Sequence, residues 1–173
     1  VLNYTPYDTG LIMVSFPLCV LVIAPISGSL SDKIGTKKLA CLGTALCSVS
    51  LFSMSQLSSS FTPSDLIWRL ALFGLGTGIF QSPNTSAAMG SVPPSYLGIA
   101  SGILATIRNA GMLLGIATAA MVLYAFVPAD VLQMTALNPP EILAFLSGLQ
   151  SAYIMGGIFA GIAVLTSLVS PHD

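Results

Sequence analysis

The sequence predicts an all-α integral membrane protein of five transmembrane helices, and three observations lead there. Hydrophobic residues make up 54% of the 173 positions and charged residues only 6%, with a mean hydropathy of +0.91. A water-soluble domain carries about 25% charged residues, so a soluble fold could not cover its surface with this composition. The charges also punctuate the chain. No Asp, Glu, Lys or Arg lies between Asp8 and Asp32, Lys38 and Asp65, Arg69 and Arg108, Arg108 and Asp130, or Glu141 and Asp173. Each gap holds the ~20 residues a helix needs to cross ~30 Å of hydrocarbon. Finally, the runs are apolar on all sides and lack the dyad alternation of membrane strands.

The spans follow in order. The first, 9–30, opens after Asp8 and carries Pro17 and Pro25, expected to kink it. The second, 39–57, follows Lys37 and Lys38 and runs into the polar connection "SQLSSSFTPSD". The third, 66–89, ends at "GSVPPSYLG", where Pro93-Pro94 removes two donors and disfavours helix before it. The fourth, 97–126, is too long for hydrocarbon alone, which places its first turns among headgroups. The fifth, 145–169, follows the long "VPADVLQMTALNPPE" connection.

Lysines hold loops on the cytoplasmic side. Lys33, Lys37 and Lys38 thus place the first connection inside, whereas Asp65, Asp130 and Glu141 gather in outer connections. The N-terminus is then outside and the C-terminus inside. A chain starting at Val1 on the outer side implies a preceding helix and a natural unit of six. Cys19, Cys41 and Cys47 lack CxxC spacing and read as small buried hydrophobes. His172 has no partner ligand nearby in sequence. No metal, cofactor, nucleic-acid partner or catalytic constellation is expected, so the chain does not read as an enzyme.

The stretch "GSLSDKIGTKKL", residues 28–39, resembles the GxLxDrxGrk signature between the second and third helices of major facilitator transporters, which recurs between the eighth and ninth. "LFGLGTGIFQSPNTSAAMGSVPPSYLGIASGILATIRNAGMLLGIA", residues 72–117, looks like the tenth and eleventh core helices of the fourteen-helix drug:proton antiporters, the multidrug and quaternary-ammonium exporters. The resemblance covers nearly the whole chain. It implies a C-terminal fragment, residues 1–173, comprising most of the C-terminal six-helix half of a major facilitator fold without its first helix. Such folds pair two six-helix halves, each built of inverted repeats.

Several residues then become candidates. The resemblance implies a cytoplasmic gating motif of Gly28, Asp32, Lys33, Gly35 and Lys37, with Asp32 latching the two halves. Gly28 permits close backbone approach, Gly35 a tight reversal, and Thr36 is placed to cap the next helix. For Lys37 and Lys38, orientation alone is a sufficient alternative. Polar groups in a span tend to face the bundle interior or a cavity. Gly74, Gly78, Gln81 and Thr85 share one helical face by their spacing, with Asn84 to one side. Pro83 should kink the helix and free a carbonyl toward a cavity. Gln81, Asn84, Thr85 and Asn109 are therefore substrate-pathway candidates. Arg108 and Arg69 are candidates for conformational coupling, although Arg108 could instead snorkel to the inner interface. Gly98/Gly102, Gly111/Gly115 and Gly157/Gly161 form GxxxG pairs suited to helix packing.

No carboxylate maps deep in a span, so a proton carrier is expected in the N-terminal half, where the resembling family places its intramembrane acids. The implied function is proton-coupled export of amphipathic or cationic compounds by alternating access, in the cytoplasmic membrane of a prokaryote. The implied partners are the lipid bilayer, a small amphipathic substrate and protons. A major facilitator transporter of a small metabolite, and a non-transporting membrane scaffold, are the alternatives.

Overall fold

The structure, a computed structural model, describes residues 5–58, 61–127 and 138–169. These residues form five long helices: α1 (Pro6–Ile34), α2 (Thr36–Met54), α3 (Pro63–Gly90), α4 (Leu97–Phe126) and α5 (Pro139–Val169), with a 3-10 turn at Pro94–Tyr96 leading into α4. Each predicted span corresponds to one helix. The helices that start at the predicted outer end run past the apolar stretch because polar residues there close their first turn. At α1 and α3 the sequences Thr5-Pro-Tyr-Asp8 and Thr62-Pro-Ser-Asp65 make reciprocal capping boxes, with proline at the first helical position. At α5 the Asn138 backbone N–H donates to Glu141 Oε2 at 2.6 Å. Asp65 and Glu141, which mark outer connections, thus also cap helices, as does Asp8.

By length and composition, α1, α4 (with its leading turn) and α5 are apolar enough to cross a membrane alone. The two remaining helices, whose spans were marked by the gaps between charges, are less apolar than that. α2 has 19 residues and carries Lys37 and Lys38 in its first turn, and α3 is diluted by Arg69, four glycines and the run Gln81–Ser86. These two helices are the central ones. α3 packs on both α1 and α2, α2 also packs on α5, and α4 leans on α5 with only slight contact to α3.

Their contacts are built from small and polar residues rather than large apolar ones. Ser27, Ser31, Thr44, Ser48 and Ser50 are buried, whereas Leu21, Leu113 and Leu114 are about seven-tenths exposed, as expected where hydrocarbon is the solvent and interhelical packing relies on close approach and hydrogen bonds. At the α2–α3 crossing, a Cβ on Gly43 would lie 2.7 Å from the Gly76 carbonyl, and one on Gly76 would lie 2.7 Å from both the Gly43 carbonyl and Cys47 Sγ. At the α1–α3 crossing, a Cβ on Gly74 would meet the Phe16 carbonyl at 2.6 Å. Beside it the Phe16 and Phe73 rings stack with centroids 5.6 Å apart.

Polar side chains bind carbonyls across these crossings and across the contact of α2 with α5. Ser48 donates to Gly157 at 2.9 Å and Ser50 to Arg69 at 2.7 Å, and the Gln150 amide donates to Leu57 at 2.8 Å. Ser27 Oγ donates to the Ile79 carbonyl at 2.8 Å. Ile79 lies four residues before Pro83, so its carbonyl is the one a proline leaves without an intrahelical donor. Pro83 does free a carbonyl, as anticipated, but that carbonyl faces α1 and is satisfied there. Pro83 itself is buried within a continuous helix.

Candidate functional site

The connection between α1 and α2 is a single residue. Gly35 ends one helix and begins the next at φ +89, the left-handed region that a residue with a Cβ rarely enters. Its N–H donates to the Ser31 carbonyl at 3.0 Å. Gly35 is the positive-φ residue among those described, and its predicted role as a reversal matches this geometry. Gly28 lies against Ser82, whose Oγ would stand 2.8 Å from an added Cβ, so α1 and α3 close up at this end. Thr36 departs from expectation: Gly35 occupies the cap position, Thr36 is the first helical residue, and α2 has no side-chain cap. A one-residue connection leaves no room for a threonine ahead of the helix.

Asp32 and Lys33 are exposed, and Lys37 is half-buried. Lys33 sits in the last turn of α1, where its charge complements the helix dipole. Asp32 makes no hydrogen bond or ion pair with the described residues.

The pathway candidates separate into two places, because successive helical residues point ~100° apart. Asn84 turns toward α2 and α5. There it lines a groove of about 510 Å³ with Thr36, Lys37, Thr44, Phe80 and Ala163. Thr85 turns toward α4, where Arg108 Nη2 donates to its hydroxyl at 3.4 Å, a long and weak bond. Thr85 in turn donates to the Gln81 carbonyl at 2.9 Å. Gln81, Arg108 and Asn109 are exposed. The other end of the proposed strip does not line a cavity: Gly74 and Gly78 are buried against Phe16, Val20 and Ile23 of α1. Small residues set two spans apart by the smallest possible distance there, and no open space remains.

The arginines differ. Arg69 is a fixed staple at the predicted outer end, with a side chain 14% exposed. Its Nε donates to Ser53 Oγ at 3.0 Å and its Nη1 to the Asp65 carbonyl at 2.9 Å. The guanidinium also lies 4.6 Å from the Trp68 ring centroid, joining α2 to α3 through one cation. The Asp65 carboxyl is held below its ordinary range, chiefly by the Thr62 backbone N–H and then by the Thr62 hydroxyl. Arg108 has one weak contact and is free to change partner.

The glycine pairs also divide. A Cβ on Gly157 would meet the Phe52 ring at 3.1 Å and one on Gly161 would meet Ser48 Oγ at 3.7 Å, so this pair faces α2. A Cβ added to Gly98, Gly102, Gly111 or Gly115 would meet nothing within 4 Å beyond its own stretch of helix. Their packing role is therefore not realised among the described residues: α4 has no buried residue, because it meets α5 along one edge and scarcely meets α3. Sequence reasoning overlooked Gly43, Gly76 and the serines that hold α2. The signal was present in "GLGTG", residues 74–78, whose middle glycine necessarily points away from the other two.

The arrangement can form a membrane-embedded wall. One side is a tightly stitched three-helix unit, and the other is an open face with few polar groups shared by α3 and α4. Comparison with known proteins agrees with this architecture. The profile of the Major Facilitator Superfamily matches residues 1–172. The chain is 42% identical over 115 residues to the riboflavin transporter RibZ of Clostridioides difficile, covering 66% of this chain and 25% of that protein. It is 34% identical over 128 residues to the multidrug resistance protein Stp of Mycobacterium tuberculosis, covering 73% and 24%. It is 33% identical over 115 residues to the quinolone resistance protein NorA of Staphylococcus aureus, covering 66% and 29%. The alignments span about a quarter of the length of these relatives. The chain is a multi-pass membrane protein, with transport rather than enzymatic relatives, and it belongs to the major facilitator superfamily.

Proposed function

We propose that this chain forms five helices of the C-terminal half of a secondary transporter that exports amphipathic or cationic compounds by alternating access, coupled to protons, across the cytoplasmic membrane of a prokaryote. The observation that carries this reading is the open α3–α4 face. It presents Gln81, Thr85, Arg108 and Asn109, and on α4 the large exposed apolar side chains Met112 and Ile116 lie on the same helical face as Arg108 and Asn109. A wall of that kind holds a ligand mainly by apolar contact, with a few polar groups to orient it, and tolerates substrates of varied shape. Two relatives named for multidrug and quinolone resistance support it.

The described acids Asp8, Asp32, Asp65 and Glu141 all sit at helix ends. A proton carrier must be exposed alternately to both sides, so this reading assigns it to helices beyond these five. Asp32 serves as the inner latch: it is exposed, charged and unpartnered among the described residues, and it stands beside the Gly35 hinge.

A second reading, transport of a small metabolite, draws on the relative named as a riboflavin transporter. One experiment separates the two. The full-length parent is reconstituted in proteoliposomes with an imposed pH gradient and offered a cationic dye, with riboflavin as competitor. Gradient-driven dye flux is expected. Flux that ignores the gradient would sink proton coupling, and riboflavin flux without dye flux would favour the metabolite reading.

A further inference from the structure

The open α3–α4 face is unbalanced in charge and in hydrogen-bonding sense. Arg108 is the one charged residue between Arg69 and Asp130. From the start of α4 at Leu97 it lies about 16 Å along the helix, and from the end at Phe126 about 27 Å. A span tolerates a cation at such a depth where it is paired or lines a cavity. Among the described residues no carboxylate pairs with it. Its bond to Thr85, at 3.4 Å, serves one donor weakly and leaves the rest of a five-donor fork open.

The neighbouring polar groups do not redress the balance. The side-chain amides of Gln81 and Asn109 are exposed and have no partner among the described residues, and each carries two N–H donors. Thr85 has already given its proton to the Gln81 carbonyl. The face therefore offers many N–H groups and a full positive charge, and no anionic acceptor among the described residues. Met112 and Ile116, one and two turns further toward the predicted outer end, continue the same side of α4 as exposed apolar surface.

A ligand that complements this pattern has an apolar body and an anionic end. A carboxylate matches the guanidinium fork with two parallel bonds. The Thr85 contact holds the fork between α3 and α4, so a lipid headgroup at the inner interface would have to draw it out of that cleft. A cationic dye would be repelled by Arg108 and would rest on the apolar wall alone.

We infer that the ligands this face holds best are amphipaths bearing a carboxylate or similar anionic group, bound by Arg108 with Gln81 and Asn109, the apolar body lying along Met112 and Ile116. The inference rests on reading the face as the ligand wall, and it narrows the class of ligand taken there.

The test measures equilibrium binding to the full-length parent in amphipol, using three ligands built on one naphthalene body and ending in a carboxylate, a carboxamide or a trimethylammonium group. The carboxylate is expected to bind roughly tenfold more tightly than the carboxamide, and the trimethylammonium ligand no more tightly than the carboxamide. Arg108→Gln should remove the carboxylate preference, and Arg108→Lys, which keeps the charge and loses the fork, should keep part of it. Should Arg108→Gln not fold, Gln81→Leu should lower the preference by about threefold. Equal affinity for carboxylate and carboxamide, or a preference that survives Arg108→Gln, overturns the inference and leaves the ligand wall standing, with Arg108 served by an acid on another helix or by lipid phosphate. Binding of none of the three overturns the reading of the face itself, and the inference with it.

Discussion

The Ser27–Pro83 pair offers a test of how the bundle is held together. Pro83 deprives the Ile79 carbonyl of its helical donor, and Ser27, 2% exposed, replaces it from α1 at 2.8 Å. Removing the hydroxyl by Ser27→Ala leaves an unsatisfied carbonyl where no water can reach it. The cost should be about 1–2 kcal/mol, above the ~0.6 kcal/mol mean for interhelical bonds in membranes, because here the carbonyl keeps no second donor. In a Pro83→Ala background, residue 83 regains an N–H that reaches Ile79, so Ser27→Ala should then cost less than about 0.5 kcal/mol. The expected coupling is about 1 kcal/mol. Unfolding of the full-length parent in bicelles, followed for the four members of the cycle, measures it. Equal cost of Ser27→Ala in both backgrounds would refute the reasoning, since the hydroxyl would then not be serving the carbonyl that proline frees.

Gly76→Ala and Gly43→Ala should each destabilise by about 1–3 kcal/mol, because the new Cβ meets backbone that cannot yield. Gly156→Ala, whose Cβ would rest 3.5 Å from Leu51 Cδ1, should be close to neutral in the same bicelle unfolding measurement. For Asp65 the folded-state pKa is lowered by its cap, so its stabilising contribution is present at neutral pH and is lost as pH falls through that lowered value. Asp65→Asn should flatten the acid side of a stability-versus-pH curve, and an unchanged acid limb would remove the cap from the account. Arg108→Ala should lower turnover more than ligand binding in dye-flux and dye-binding assays, and unchanged turnover would favour snorkelling.

The number and order of helices were legible in the charge gaps, because in a membrane the solvent itself enforces the pattern. The Gly35 reversal was legible too, since a glycine between two polar half-turns has few other uses. Less visible was which face of each helix meets which neighbour. Where every side is apolar, the partner is chosen by small residues, and "GLGTG" distributes them over two faces at once. That is why Gly74 and Gly78 looked like a pathway and are instead a seam with α1. Serines in mid-span were also uninformative by themselves: Ser27 acquires meaning only when the proline at position 83 lies opposite it.

The modest apolarity of α2 and α3 bears on how the chain enters a bilayer. These two helices gain least from entering hydrocarbon singly, and they are consecutive. If both stayed out, α4 and α5 would still cross in their usual directions, because removing a pair of crossings restores the side from which α4 starts. A reporter on either end of the chain would give the same answer for three crossings as for five. Only a label in the short connection between α2 and α3 distinguishes a finished bundle from one whose centre has yet to insert.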